Sequence, residues 1–179
     1  MLSLDKTGLI VVDVQGKLAR LVHDSDTLIS NCAKLIQGAT ALKLPILLLE
    51  QNPDKLGGTV AELKAHLDNV PAITKCTFNA CDSADFLHTA KTMAVDTWLI
   101  CGIEAHICVY QTARGLLDSG FNVELVSDCV SSRTLSNMQL GINRAKACGA
   151  EVTGLEMCLY ELVKDCQSPE FKQILTLIR

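Results

Sequence analysis

Apolar residues in this chain fall into two kinds of segment that take turns along its length: short uninterrupted runs and longer stretches of helical spacing. Gly8 to Val14 (GLIVVDV), Ile46 to Leu49 ending at Glu50 and Gln51, Thr97 to Cys101 (TWLIC), Asn122 to Ser127 and Glu151 to Thr153 read as strands. Pro71 to Phe78 reads as another short strand, delivering Lys75 at or just past its end. Runs of this length with almost no charge suit strands covered on both faces. Between them, Leu28, Ile29, Cys32, Leu35, Ile36, Ala39 and Leu42 make a helical stripe over Asp26–Leu42, with Ser25 or Asp26 as N-cap and Pro45 beyond its end. Further helices are expected over Thr59–Leu67, Ser83–Met93, Ala105–Leu117 with Gly120 just past its end, Thr134–Cys148 closed by Gly149, and Leu155–Lys164. Pro169 opens a last helix striped by Phe171, Ile174, Leu175 and Ile178. Strand and helix in alternation predict an α/β fold: a three-layer α-β-α sandwich around a mostly parallel, six-stranded Rossmann-like sheet with right-handed crossovers, one domain over residues 1–179. The loop NPDKLGG after the second strand is a candidate mobile rim.

Composition narrows the partners. With 49% hydrophobic but only 4% aromatic residues, the core must be built from Leu, Ile, Val and Ala. The net charge of −4 and the scattered basic residues give no support to nucleic-acid or membrane-surface binding, which leaves a small molecule. Nine cysteines without a CxxC pair point to reduced thiols. No basic leader and no apolar run near ~18 residues is present, so a cytoplasmic protein is expected.

Three reactive groups fall at strand ends on one rim, where open parallel sheets bind ligands. Asp13 either serves a site or caps the next loop. Lys75 by itself reads as a solvated surface charge. Cys108 is either a nucleophile activated by a helix N-terminus, with a depressed pKa, or a small buried hydrophobe.

Taken together and in order, VVDVQ around Asp13, a lysine just before CTFNAC, and GIEAHICV around Cys108 resemble the isochorismatase-like cysteine hydrolases, from end to end of the chain. LLLEQNPDKLG, LICGIEAHICV and VSDCVSSR are similar to the eukaryotic isochorismatase domain-containing proteins. The resemblance implies a metal-independent hydrolase of a small amide, carbamoyl or ester substrate, working through a thioester without a cofactor. Asp13 would take the Cys108 thiol proton and Lys75 would hold the thiolate and orient the aspartate. Backbone N–H groups of Glu104 and Cys108 would form an oxyanion hole beside a cis peptide between Ile103 and Glu104. The metal-binding histidines of nicotinamidases have no counterpart in EQNPDKLGG, and His66 reads as a surface residue. The cysteine itself argues against isochorismate hydrolysis. Gln15, Gln51, Phe78 and His106 are candidate pocket residues, His106 either lining the pocket or facing a neighbour, whereas Trp98 belongs to the core. Cys76 and Cys81 rank below Cys108 as nucleophiles.

Two other readings compete. One is a catalytically silent binding protein on the same scaffold, its apolar last helix a partner surface or, more in keeping with the fold, a contact for a homo-oligomer. The other is thiol redox chemistry at Cys108 with Cys76 or Cys129 as resolving partner, which the lack of CxxC disfavours. Serine-hydrolase, P-loop and dinucleotide motifs are absent.

Overall fold

The β-branched and leucine-rich runs form six parallel strands in a computed structural model that describes all 179 residues. The strands are β1 (Thr7–Val12), β2 (Ile46–Gln51), β3 (Ala72–Lys75), β4 (Thr97–Ile103), β5 (Asn122–Ser131) and β6 (Glu151–Thr153), in the spatial order β3-β2-β1-β4-β5-β6. Every pairing is parallel. Strand alternation splits the core between the two faces of the sheet. Leu9, Val11, Leu99 and Cys101 face one way, onto α1 (Leu18–Leu21), α2 (Ser25–Ala41), α4 (Ala61–Lys64), α8 (Leu155–Val163) and α9 (Phe171–Ile178). Ile10, Val12, Trp98 and Ile100 face the other, onto α5 (Ala84–Thr92), α6 (Tyr110–Asp118) and α7 (Leu135–Ala147). Both sides of β1 are thus sealed, which is why its sequence is apolar at every position rather than at alternate ones. The three-layer α/β architecture is as the pattern predicts.

Chain order reverses about β1: β2 and β3 lie to one side of it, and β4 to β6 to the other. The crevice beyond the carboxyl ends of β1 and β4 is therefore the switch point of a doubly wound sheet, the place such folds offer a ligand.

Several boundaries differ from the pattern. Gly102 does not end β4. The strand runs through it to Ile103, with Gly102 at φ 118° and a register shift against β5 between Ile100 and Gly102. A Cβ at Gly102 would lie 2.0 Å from the Val12 carbonyl oxygen, so only glycine lets β4 press against the end of β1. β5 continues four residues past Ser127, because the shift carries Val130 and Ser131 alongside Gly102 and Ile103. The rim loop contains one helical turn, α3 (Pro53–Leu56), started by Pro53. The N-cap of α2 is Asp24, in the left-handed region, rather than Ser25 or Asp26, and the Thr59–Leu67 helix shrinks to α4. The last helix begins at Phe171, two residues after Pro169, and its apolar face is spent inside the chain: Ile174 is buried, with Phe171, Leu177 and Ile178 packed against the α2–α8 core. That face is not the free partner surface its sequence suggests.

Candidate active site

Asp13 follows β1 directly, in the left-handed region at φ 52°, a conformation that aspartate tolerates better than branched residues. The turn drops its carboxylate into the switch-point crevice, 3% exposed. Lys75, the last residue of β3, reaches across the end of β2 to meet it. Its Nζ donates to Asp13 Oδ2 at 2.7 Å, to Gln51 Oε1 at 2.8 Å and to the Thr77 carbonyl at 3.2 Å. The Lys75 side chain is 0% exposed, so the sequence reading of a solvated surface charge is overturned. All three ammonium protons are used within the protein. Asp13 Oδ1, by contrast, is buried with no fully formed hydrogen bond.

Cys108 enters the same crevice from the other side. The segment after β4 is not the first turn of an α-helix: Ala105–Val109 forms a π-turn, and α6 begins only at Tyr110. The Ile103–Glu104 peptide is cis. The Glu104 N–H has no backbone acceptor, and its carbonyl instead receives the N–H groups of Ile107 and Val109. Wider winding at functional sites is a recurrent use of π-turns, and here it presents the Cys108 thiol to the Asp13 carboxylate. Against the turn packs α7, with Gly141 so close that a Cβ there would lie 2.4 Å from the Ala105 carbonyl carbon and 2.6 Å from the His106 nitrogen. Gly141→Ala must push the turn away; a stability loss of about 1–3 kcal/mol is expected, with activity falling more than a surface Gln139→Ala control. Thermal melts and turnover of the two variants check this.

The electrostatics reverse the expected thiol pKa. Burial, then the Asp13 carboxylate, push the Cys108 thiol up to about 12, with Lys75 only partly opposing them. Burial likewise raises the Asp13 carboxyl, against the pull of Lys75. No helix N-terminus compensates, because the α-helix starts two residues later. Cys108 therefore rests as a thiol beside a carboxylate, with the ammonium already committed.

Asp13 and Cys108 line a small cavity of about 90 Å³ whose other walls are Leu18, Leu56, Phe78, Ile103, Ile107, Gln51 and Glu104, with Lys75 buried behind Asp13 and Gln51. Phe78 stands at the mouth, 55% exposed. Of the four candidate pocket residues, Gln51 and Phe78 are in place. Gln15 is not: fully buried, it donates to the Gln51 and Gly57 carbonyls at 3.2 and 2.6 Å and accepts from the Gln51 N–H, clamping the α3 loop to the end of β2. His106 points elsewhere, its Nδ1 2.9 Å from Ser132 Oγ, and lines a separate depression with Tyr110, Leu140, Gly141 and Arg144. On a π-turn, neighbouring side chains leave in directions that α-helical spacing does not predict. Leu18 and Leu56 gave no sequence signal beyond being apolar in loops near the rim.

The remaining cysteines separate cleanly. Cys129 packs on the opposite face of the sheet from Cys108 and donation from Cys32 ends on its carbonyl, so it cannot resolve a Cys108 sulfenic acid. Cys76 is exposed, outside the cavity, and Cys81 is held as a thiol at about 11 by burial. His66 is exposed on the turn after α4.

The isochorismatase domain model matches residues 7–157. The chain belongs to the isochorismatase family. It is an enzyme of the hydrolase type that this family and its structural neighbours represent. Among its relatives are isochorismatase domain-containing protein 2 of Danio rerio, 34% identical over 99% of this chain and 89% of that one, and the secreted isochorismatase effector Isc1 of Phytophthora sojae, 34% identical over 96% and 83%. Among solved structures, the MAR1 ribonuclease of Caenorhabditis elegans superposes with a TM-score of 0.93 at 34% identity, covering 99% of this chain and 91% of that one. Two YcaC proteins superpose at 0.92. That of Pseudomonas aeruginosa carries covalent acrylamide, at 27% identity over 98% and 90% of the two chains. That of Escherichia coli is described as an octameric hydrolase of unknown specificity, at 25% over 98% and 89%. No helix of this chain is long and apolar enough to cross a membrane.

Proposed function

We propose that this protein is a metal-independent cysteine hydrolase of small amide, carbamoyl or ester compounds, with Cys108 as nucleophile, Asp13 as general base and Lys75 as the cation that fixes the base. The observation that carries the reading is the meeting of an unpaired buried carboxylate oxygen and a thiol in one small cavity at the switch point, with a fully committed ammonium holding the carboxylate from behind. As Cys108 Sγ attacks the carbonyl carbon, its proton passes to Asp13. Lys75 keeps the carboxylate pinned by Oδ2 throughout, which leaves Oδ1 for the proton. Charge developing on the carbonyl oxygen is met by the N–H groups of Glu104 and Cys108, held by the strand end and the π-turn. Collapse expels the leaving group, which takes the proton from Asp13. Water, activated by the same carboxylate, then hydrolyses the thioester.

Covalent acrylamide on the Pseudomonas aeruginosa relative supports a nucleophile in this fold. A ribonuclease reading, prompted by the Caenorhabditis elegans relative, finds no support in the cavity: its wall holds two carboxylates and no cation, and Lys75 behind it has no proton left for a phosphate. The octameric relative supports assembly of this chain into a homo-oligomer. The cellular compartment proposed is the cytoplasm.

The test is the pH profile of hydrolysis, combined with mass spectrometry of quenched enzyme. A protonated Asp13 cannot accept the thiol proton, and burial raises its pKa, so kcat/KM should fall on the acid side above the ordinary carboxylate value of about 3.9. With the thiol at about 12, no second limb is expected near neutrality. An acyl adduct on Cys108 and a single acid limb agree with the proposal. Turnover with an adduct on another residue, or none on any cysteine, overturns it.

A further inference from the structure

Among the carboxylate oxygens of the cavity wall, one is left without a role. Both ends of the Gln51 amide are used, by Lys75 and by the Cys76 carbonyl. Lys75 has spent its three protons, and Asp13 Oδ1 is the proton acceptor for Cys108. Glu104 remains. Its side chain is 7% exposed, and its Oε2 is tied to the Arg133 N–H at 3.0 Å and to Arg133 Nε at 3.2 Å. Oε1 accepts no hydrogen bond. The residue lines the cavity beside Cys108, and its charge contributes to raising the Cys108 thiol. This oxygen is not sealed off like Asp13 Oδ1, so it stays open to a hydrogen-bond donor from a ligand.

We infer that Glu104 Oε1 is a substrate-binding acceptor, and that it selects compounds carrying an N–H donor next to the scissile carbonyl: primary amides, ureides and carbamoyl compounds rather than carboxylates or simple esters. This rests on the cysteine-hydrolase reading and narrows it. Of the other wall residues, Leu18, Leu56, Phe78, Ile103 and Ile107 are apolar, Gln51 Oε1 is held by Lys75, and Asp13 Oδ1 is reserved for the thiol proton. An anionic substrate would face Asp13 and Glu104 with no free cation in the cavity.

Acrylamide, methyl acrylate and the acrylate anion make a matched set of small probes that differ in the group beside the reacting carbon. In each addition Cys108 Sγ bonds to the β-carbon, the carbon–carbon π bond breaks, and the thiol proton ends on the α-carbon. Second-order rates of adduct formation at Cys108, read by intact mass and normalised to glutathione, should rank acrylamide first, methyl acrylate next and acrylate last. Glu104→Gln inverts the polarity: the two Arg133 donors keep the carbonyl oxygen, so the amide NH2 takes the place of Oε1. The normalised preference for acrylamide over methyl acrylate should drop at least about tenfold, the effect of losing a charged hydrogen bond.

Equal normalised rates for the wild type, or a ratio unmoved by Glu104→Gln, would overturn the role of Glu104 and leave the nucleophile standing. Absence of any adduct at Cys108 overturns both readings. If Glu104→Gln melts too low to assay, the wild-type ranking decides by itself, since an enzyme that favours acrylate or the ester contradicts the assignment.

Discussion

Replacing Cys108 with serine is expected to lower turnover at least about a thousandfold, since the residue that bonds to the substrate is lost while its neighbours remain. Thermal stability should change little: serine is close to cysteine in size, and the site sits at the cavity wall rather than deep in the core. Asp13→Asn should abolish turnover to a similar degree by a different route, and alkylation with iodoacetamide separates the two. In the wild type the thiol is held at about 12, so Cys108 should label more slowly at pH 8 than the exposed Cys76 and Cys166. Asp13 is, after burial, the largest cause of that rise, and Lys75 opposes it. Removing the carboxylate therefore lowers the Cys108 pKa and speeds its labelling while hydrolysis stops. Lys75→Met removes the only lowering charge and should slow labelling further. A site in which Asp13→Asn slowed both alkylation and turnover would mean that the thiol is activated in the resting state, contrary to the order of proton transfer derived above.

The second large effect concerns folding. Asp13 and Lys75 form an ion pair with side chains 3% and 0% exposed. Breaking a buried pair strands a charge, so Asp13→Asn and Lys75→Met should each cost about 3–5 kcal/mol, whereas the double variant, with no charge left to bury, should be more stable than either. The singles will differ with pH. In Lys75→Met the Asp13 carboxyl, already raised by burial, rises further and can take up a proton. A folded-state pKa above the unfolded one means stability that is lost as pH rises through the folded value and regained as pH falls, so the Lys75→Met deficit should shrink toward acid pH. Guanidinium unfolding of the four proteins between pH 5 and 8 gives the cycle. Equal and additive losses would show that the pair is not coupled in the fold.

Which residues meet was legible in the chain at the level of strand ends. Continuous apolar runs marked the strands, alternation with helices marked a parallel sheet, and a parallel sheet carries its ligands at the carboxyl edge. Asp13, Lys75 and Cys108 could be placed on one rim from those facts, and the motifs around them named the family. The parallel pairing followed from the same regularities, whereas the order β3-β2-β1-β4-β5-β6 came only with the structure, because pairing partners are set by packing between strands distant in the chain.

Only the tertiary structure decided the state and direction of those groups. Lys75 looks like a surface residue in sequence, and becomes a buried one because Asp13 after β1, Gln51 at the end of β2 and the Thr77 carbonyl just past β3 converge on its ammonium. Cys108 reads either as a thiolate at a helix N-terminus or as a small buried hydrophobe. A π-turn delays the helix, and burial beside a carboxylate keeps the proton on sulfur. Gln15 and His106 lie two positions from Asp13 and Cys108 yet turn away from the cavity, while Glu104, marked in sequence for its backbone, also lines the wall. Periodicity and propensity act over a few residues and fix where strands and helices run. Desolvation, charge pairing and the aim of a side chain are sums over neighbours distant in the chain, and they exist only once those neighbours have been brought together.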